Sequence, residues 1–508
     1  MTTPLLIVAA LRSEYAALLG PGTSANGDVA LERCGMGPTR VERWLPRLHE
    51  LAPGAVAVAG VAGALDPALR AGDVVVASEV RDAHGPVPLP AAAPLVADLR
   101  RRGLRVRTGP VVTIDHIATD RAERERLAGT GAIAVDMESA PIARAARALP
   151  GHPPVAVVRV VVDTVDTPLA RLRTLPAGAK ALANLRKVGA PLRAWAGLAG
   201  SRQVLLAGPR SFCAGVERAI DIVESALRRY AHPIYVRRQI VHNAHVVEDL
   251  QRRGVVFVDE LDEVPDDTTV VFSAHGVAPA VREEAARRGL NVIDATCPLV
   301  AKVHTEARRF VGRGRQVLLV GHAGHDEVEG TLGQMPGRIT LVQDAAEAET
   351  VEVEDPEQVA FVLQTTLGID DAATTVATLR RRFPTIASSP TDDICYATTN
   401  RQRAVTAMVP ECDVLLVIGS NNSSNSRRLV EVAEALGTPA HLVEDATEVL
   451  PEWLAGARTV GITAGASAPA HLVDELVGTL RALGPIDVDE RVVTTEDLTF
   501  SLPKGVAG

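Results

Sequence analysis

The sequence of 508 residues contains few aromatic side chains and no excess of positive charge. Phe, Trp and Tyr make up 3% of it, and the formal net charge is −9. Proteins that bind nucleic acids neutralise phosphates with Lys and Arg, so the acidic balance argues against this class. No apolar run approaches the ~20 residues of a membrane-spanning helix. We therefore expect no nucleic-acid partner and no membrane span.

Cysteine is also scarce, with five residues spread over the chain. An odd number at wide spacing does not indicate a disulfide framework, and the closely paired cysteines that are typical of structural zinc are missing from the sequence. The apolar segment of residues 5–11 lacks the basic start of a signal peptide and predicts a first β-strand instead. These features predict a cytoplasmic protein.

Short apolar runs that end in polar or glycine-rich turns recur through the second half, at 270–272, 317–320, 361–363, 414–418 and 460–462. Such runs, separated by segments rich in Arg, Glu and Ala, are typical of parallel strands joined by helices. The length indicates several domains, and the glycine-rich segment 197–201 is a plausible hinge. We predict an α/β protein with domains at 1–199 and 203–508.

Three cysteines lie in loops of small and polar residues: Cys213 in Phe-Cys-Ala-Gly-Val, Cys297 in Ala-Thr-Cys-Pro-Leu and Cys395 in Ile-Cys-Tyr-Ala-Thr. An isolated cysteine is more often a small buried hydrophobic residue, which is our interpretation of Cys34 and Cys412. Three thiolates, however, can hold an iron–sulfur cluster and leave one iron without a protein ligand. Such an iron can activate a substrate oxygen, so the pattern favours a catalytic cluster.

Polar residues beside the predicted strand ends form a candidate anion site. A single His is usually a surface or satisfied core residue, and a Ser/Asn run is more often a loop or a helix cap. Several of them together, with glycine-rich turns and helix N-termini, suit the binding of an oxyanion. The candidates are His242, His275, His325, Ser423, Ser424, Asn425 and Ser467.

Glu327 lies two residues after His325, in Asp-Glu-Val-Glu. A solvated surface acid is one interpretation of this run. The functional interpretation is a proton donor near the cluster, with Thr365 positioning a hydroxyl group or a water molecule.

The second half, from about residue 203 to residue 485, closely resembles the 4-hydroxy-3-methylbut-2-enyl diphosphate reductases of the non-mevalonate isoprenoid pathway. The motifs that carry the resemblance occur in order along the chain: Phe-Cys-Ala-Gly-Val, Phe-Ser-Ala-His-Gly-Val, Asp-Ala-Thr-Cys-Pro-Leu-Val, Gly-His-Ala-Gly-His, Gln-Thr-Thr-Leu, Asn-Ser-Ser-Asn-Ser and Thr-Ala-Gly-Ala-Ser.

The resemblance implies three α/β lobes around one central 4Fe-4S cluster per chain, held by Cys213, Cys297 and Cys395. The substrate hydroxyl would bind the open iron, and the anion site above would hold the diphosphate of this allylic substrate. Glu327, aided by Thr365, would deliver the proton with which water leaves, giving isopentenyl or dimethylallyl diphosphate. A ferredoxin or flavodoxin would supply the electrons.

The first half carries carboxylates at predicted strand ends, namely Glu14, Glu138 and Asp163, and the motifs Gly-Val-Ala-Gly-Ala-Leu-Asp-Pro and Val-Asp-Met-Glu-Ser. Acids near helix N-termini also have a simple electrostatic explanation. Together, the motifs resemble the purine nucleoside phosphorylase and nucleosidase family, most closely its hopanoid-associated members, which act on adenosyl-hopane. The resemblance implies that Asp163 protonates the leaving base, Glu138 holds the ribose with Met137 beneath it, and Glu14 orients a water.

The whole sequence is therefore interpreted as a bifunctional fusion, and three alternatives stay open. The first domain could be inactive and structural. The chain could be an iron–sulfur redox sensor, which would not need Glu327 or the anion site. It could also be a dehydratase that uses an open iron without net reduction.

Overall fold

The structure, a computed structural model, describes residues 5–19, 28–164, 175–391, 393–503 and residue 506. The chain divides into two compact units. Unit 1 comprises Met1–Val204, Asp445–Val460 and Asp474–Val488, and unit 2 comprises Leu205–Glu444, Gly461–Val473 and Asp489–Gly508. No helix in the described ranges combines the length and the apolar character needed to cross a membrane.

The first half forms an alternation of strands and helices. In chain order these are β1 (Leu5–Ala9), α1 (Arg12–Leu18), β2 (Val29–Arg33), α2 (Pro38–Leu51), β3 (Ala55–Ala64), β4 (Val74–Asp82), β5 (Gly85–Pro88), α3 (Leu95–Arg101), β6 (Val106–Thr113), α4 (Arg121–Ala128), β7 (Ala134–Asp136), α5 (Ser139–Arg147), β8 (Val155–Asp163), α6 (Leu175–Arg186) and α7 (Gly189–Ala196).

The eight strands of the first half form one mixed sheet that closes on itself. Its order is β2-β1-β3-β7-β6-β4-β5, and β8 pairs with both β3 and β4. Strands β3, β7, β6, β4 and β8 therefore make a closed ring. All nine residues of β8 are buried, as expected for a run of Val residues that is covered on both faces.

The second half continues the alternation. Its elements are β9 (Arg202–Gly208), α8 (Ala214–Arg229), β10 (Ile234–Arg237), α9 (Ala244–Arg252), β11 (Val255–Val258), β12 (Thr269–Phe272), α10 (Pro279–Arg287), β13 (Asn291–Asp294), α11 (Pro298–Gly312), β14 (Gln316–Val320), α12 (Asp326–Leu332), β15 (Ile339–Val342), α13 (Ala345–Thr350), β16 (Val359–Leu363), α14 (Ile369–Arg382), α15 (Tyr396–Met408), β17 (Val414–Ile418), α16 (Ser424–Ala435), β18 (Ala440–Val443), α17 (Pro451–Leu454), β19 (Thr459–Ala464), α18 (Ala470–Leu483) and β20 (Ile486–Val492).

Three separate sheets organise this half, which confirms the predicted three-lobed α/β fold. The first has the order β11-β10-β12-β13, the second β15-β14-β16 and the third β18-β17-β19-β9-β20. The strand pairs of the first two sheets are all parallel. Each of the five apolar runs named from the sequence lies in a strand, and the segments that follow these strands carry His275, His325, Thr365, Ser423 and Ser467.

Two buried Trp residues of unit 1 differ in their hydrogen bonding, and this difference can be tested. Trp195 is fully buried in α7, and its Nε1 donates a 2.6 Å hydrogen bond to the carbonyl of Ala91. Trp44, in α2, is also buried, but its Nε1 has no hydrogen-bond partner among the described residues.

We predict that Trp195→Phe lowers the free energy of unfolding by about 1–3 kcal/mol more than Trp44→Phe does, because only the first change leaves a buried carbonyl unpaired. Both variants lose the same ring volume, so the second is a matched control for packing. Urea titrations followed by circular dichroism measure the difference. Equal shifts of the unfolding midpoint would contradict the assigned role of the Trp195 hydrogen bond.

Candidate active sites

Three helices of unit 2 begin directly after a cysteine. Cys213, Cys297 and Cys395 are the N-cap residues of α8, α11 and α15. All three line one cavity of about 110 Å³. Gly215 leaves space beside the thiols, since a Cβ at that position would lie 2.7 Å from Cys297 Sγ. The fold thus brings together three cysteines that are far apart in the sequence.

Burial favours the protonated form of two of the cavity thiols, Cys297 and Cys395. Burial raises the pKa of Cys297 to about 11 and that of Cys395 to about 12, and the nearby Cys213 adds to both shifts. A soft metal centre that displaces the thiol protons matches this donor set. Neither of the two remaining cysteines is among the residues that line this cavity. The residues present therefore fit a cofactor held by three thiolates.

Glu327 lies in the first turn of α12 and is almost completely buried in the same cavity. Its Oε1 accepts a hydrogen bond from the backbone N–H of Thr365 at 2.8 Å, and its Oε2 accepts one from the Thr365 hydroxyl at 2.8 Å. Burial raises the pKa of Glu327 to about 7, although both hydrogen bonds act in the opposite direction. The carboxyl group can therefore hold a proton at neutral pH.

The three candidate histidines form one cluster in the lining of this cavity. The rings of His242 and His275 stack with their centroids 4.1 Å apart, and His325 lies edge-on at 5.6 Å and 5.9 Å. Burial lowers the pKa of all three imidazoles, to about 4 for His325. Without a bound anion these rings are neutral near pH 7, and each offers one N–H donor.

The serine and asparagine candidates lie at the start of α16 and in the loop after β19. Ser423 is the N-cap residue of α16, and Ser467 donates a 2.9 Å hydrogen bond to the carbonyl of His242. Both side-chain amide atoms of Asn425 are buried and have no hydrogen-bond partner among the described residues. Buried polar atoms are rarely left unpaired, so Asn425 indicates a place for a polar ligand.

The sequence did not predict an ion pair that lies beside the histidines. Arg238 and Asp326 contact each other through Nη1 and Oδ1, although they are 88 residues apart in the chain. Both line a neighbouring cavity of about 550 Å³ that also includes His242, His325 and Asn422. The sequence contained no sufficient signal for this pair, because Asp326 belongs to an acidic run and Arg238 to a basic one.

The four candidates of the first half also share a cavity, of about 310 Å³ in unit 1: Glu14, Met137, Glu138 and Asp163. Glu14 is buried and accepts three backbone hydrogen bonds of 2.7–2.9 Å, from Ala10, Leu11 and Val61. Burial raises the pKa of Glu138 to about 7, while its Oε1 accepts a hydrogen bond from Gly37 N–H at 3.0 Å.

Two buried arginines contact the carboxylates of this cavity, and the sequence did not predict either of them: Arg124 lines the cavity, and Arg159 pairs with two of its acids. Arg159 is fully buried in β8, and its Nη2 lies 2.6 Å from Asp136 Oδ2 and 3.4 Å from Glu138 Oε2. Arg124 forms an ion pair with Asp163. Buried charges require such partners, so the carboxylates of this cavity are held in fixed positions.

Two family models match separate parts of the chain. The family model for LytB protein matches residues 204–481. The model of the Phosphorylase superfamily matches residues 21–191, which indicates a phosphorylase-like domain in the first half.

Known proteins of several organisms are similar to the second half of the chain. The 4-hydroxy-3-methylbut-2-enyl diphosphate reductase of Azoarcus sp. (strain BH72) is 56% identical over 304 residues, which cover 60% of this chain and 97% of the relative. Reductase 2 of Mycobacterium bovis is 56% identical over 311 residues, covering 60% and 94%. The solved structure of the E-1-hydroxy-2-methyl-but-2-enyl-4-diphosphate reductase from Plasmodium falciparum superposes with a TM-score of 0.58 at 34% identity, covering 60% and 97%. With more than half of its length matched by the family model, the chain belongs to the LytB protein family.

Proposed function

We propose that the second half of the chain reduces 4-hydroxy-3-methylbut-2-enyl diphosphate to isopentenyl and dimethylallyl diphosphate. Two electrons and two protons enter, the C–O bond to the allylic hydroxyl breaks, and the oxygen leaves as water. The observation that carries this proposal is that three thiols, a buried acid and an anion-binding cluster line one cavity. The names of the relatives at 56% identity support it. We place the reductase domain at 203–508, after a first domain at 1–199.

Cys213, Cys297 and Cys395 would hold one 4Fe-4S cluster, and the three-thiol donor set described above fits it. Such a cluster, when bound, supplies electrons and a Lewis-acidic iron for the substrate hydroxyl. The electrons would come from a ferredoxin or a flavodoxin.

The side chains of the cavity would bind the diphosphate and supply a proton. The histidine rings, Ser423, Ser424, Asn425 and Ser467 would donate hydrogen bonds to the diphosphate, and the unpaired Asn425 amide supports this assignment. Glu327 would give its proton to the leaving hydroxyl group. Thr365 would orient that carboxyl group through its two hydrogen bonds.

A catalytic function is favoured over a redox sensor and over a dehydratase. A sensor does not need a buried acid with a pKa raised to about 7 beside its cluster. A dehydratase would work without an electron donor, so turnover that requires a reductant separates it from a reductase.

The cysteine assignment gives the first prediction. Changing Cys213, Cys297 or Cys395 individually to Ala should abolish cluster assembly, because each removes one of three thiolates. Cys412→Ala is the matched control, since Cys412 Sγ instead contacts the carbonyl of Met408 at 3.5 Å. Iron and sulfide content after anaerobic reconstitution measures the effect. A variant of the first set that binds as much iron as the wild type would contradict the assignment of that ligand.

The acid assignment gives the second prediction. Glu327→Gln should lower kcat by about 10²–10⁴ with an intact cluster, because it removes the proton donor. Glu349→Gln, an exposed change on α13, should have no effect. A donor must be protonated, so kcat/KM of the wild type, which reports on the free enzyme, should fall as the pH rises through about 7, the value to which burial raises the pKa of Glu327.

Anaerobic assays with a reduced viologen dye as electron donor, quenched and analysed for both diphosphate products, measure the effect of Glu327→Gln and the pH profile of the wild type. Glu327→Gln turning over at the wild-type rate would refute the assigned role. A wild-type profile that rises with pH through the same range would also refute it.

We propose a second activity for the first domain, the cleavage of the N-glycosidic bond of a purine nucleoside. The observation that favours it is one cavity lined by Glu14, Glu138 and Asp163 in a domain of the Phosphorylase superfamily. Asp163 would protonate the leaving base, Glu138 would bind the ribose hydroxyls above Met137, and Glu14 would orient a water if the reaction is hydrolytic.

This activity predicts that the wild type releases free base from a purine nucleoside and that Asp163→Asn slows release by at least about 10². Asp28→Asn, on the exposed surface, is the control. Chromatography of products formed with and without inorganic phosphate also identifies the nucleophile. Absence of base release from a panel of purine nucleosides would favour a purely structural first domain.

A further inference from the structure

Arg238 is surrounded by carboxylates at the edge of the anion site. It follows β10 directly and has a positive φ of 59°. Its Nη2 lies 2.7 Å from Glu329 Oε2 and 3.2 Å from Glu260 Oε1, while its Nη1 contacts Asp326 Oδ1. The side chain is only 24% exposed, so these contacts lie partly away from water. One guanidinium group therefore organises three acids.

Asp326 lies between this guanidinium and the histidine cluster. Its Oδ1 is bound by Arg238, and its Oδ2 faces His242 Nε2 at 4.0 Å and His275 Nδ1 at 3.8 Å. Both distances exceed those of a hydrogen bond. The carboxylate thus points at two imidazoles without bonding to either of them.

This separation matters because an unrestrained carboxylate forms strong, short hydrogen bonds with imidazoles. Such a bond would occupy an N–H that a diphosphate needs, and it would place a negative charge where the anion binds. The pairing with Arg238 prevents both effects by fixing Asp326 through its other oxygen.

We propose that Arg238 is a positioning residue for the anion site: it holds Asp326 away from His242 and His275 and so keeps these rings available to the substrate diphosphate. The inference rests on the proposed reductase function. It differs from a direct contact between Arg238 and the diphosphate, which the position of Arg238 in the neighbouring cavity would also allow.

A double-mutant cycle separates these two roles. Arg238→Met should weaken the binding of inorganic pyrophosphate by about tenfold or more, because Asp326 then bonds to the imidazoles. Asp326→Asn should bind at least as tightly as the wild type. The double variant Arg238→Met/Asp326→Asn should regain wild-type binding to within about threefold, since the competing carboxylate is gone.

Isothermal titration calorimetry with the cluster-loaded protein measures these affinities, and steady-state assays follow KM and kcat with the allylic diphosphate. KM should follow the same pattern, while kcat stays unchanged in Arg238→Met. Arg238→Lys should bind nearly normally, because an ammonium group can still hold Asp326. Arg237→Met is a matched control, since Arg237 pairs only with Glu260 in the hydrogen bonds described.

A double variant as weak as Arg238→Met would overturn the proposal, as would Arg238→Met binding like the wild type. Failure of the reductase function has a different signature. In that case no variant turns over the allylic diphosphate, while the pyrophosphate affinities still report on Arg238 and Asp326.

Discussion

The backbone N–H of each cysteine that lines the reductase cavity donates a hydrogen bond to a loop that carries a candidate substrate-site residue. The three N–H groups donate to carbonyls in the loops after β19, β12 and β16, through the bonds Cys213–Ala466 at 3.2 Å, Cys297–Ala274 at 2.9 Å and Cys395–Thr365 at 2.9 Å. Ser467 and His275 are the next residues in two of these loops, and Thr365 belongs to the third. Buried N–H groups need partners, and here that requirement joins the thiol side of the cavity to the side that carries the proposed anion site. A shift of one loop would displace a thiol as well.

Much of the second half could be predicted from the sequence because its strands are followed by polar loops. Buried parallel strands produce continuous apolar runs, and the chain must turn where each run ends, so strand ends and polar loops appear together in the sequence. The Arg238–Asp326 pair has no such local signature. Its partners come from β10 and α12, and only the packing of two lobes of unit 2 decides which acid meets which base.

In the first half, too, the sequence predicts some residues of the candidate site but not their buried partners. Carboxylates at strand ends identified Glu14, Glu138 and Asp163, but not the buried cations that hold them. Arg159 lies in the middle of an apolar strand, where a charged residue contradicts the pattern of burial. Its guanidinium is stabilised there by Asp136 and Glu138. A buried charge within a Val-rich strand thus indicates a dense set of charged partners nearby, because only such partners make its burial tolerable.

Desolvation acts in opposite directions on the acid and the histidines of the reductase cavity. It raises the pKa of Glu327 to about 7 and lowers that of His325 to about 4. Near pH 7 the imidazoles are therefore neutral, and they form no ion pair with the Glu327 carboxylate. An entering diphosphate changes this balance, since a nearby negative charge favours the imidazolium form and also disfavours loss of the carboxyl proton. In the proposed mechanism, the same anion therefore strengthens the hydrogen bonds that hold it and keeps the proton on Glu327, the proposed donor.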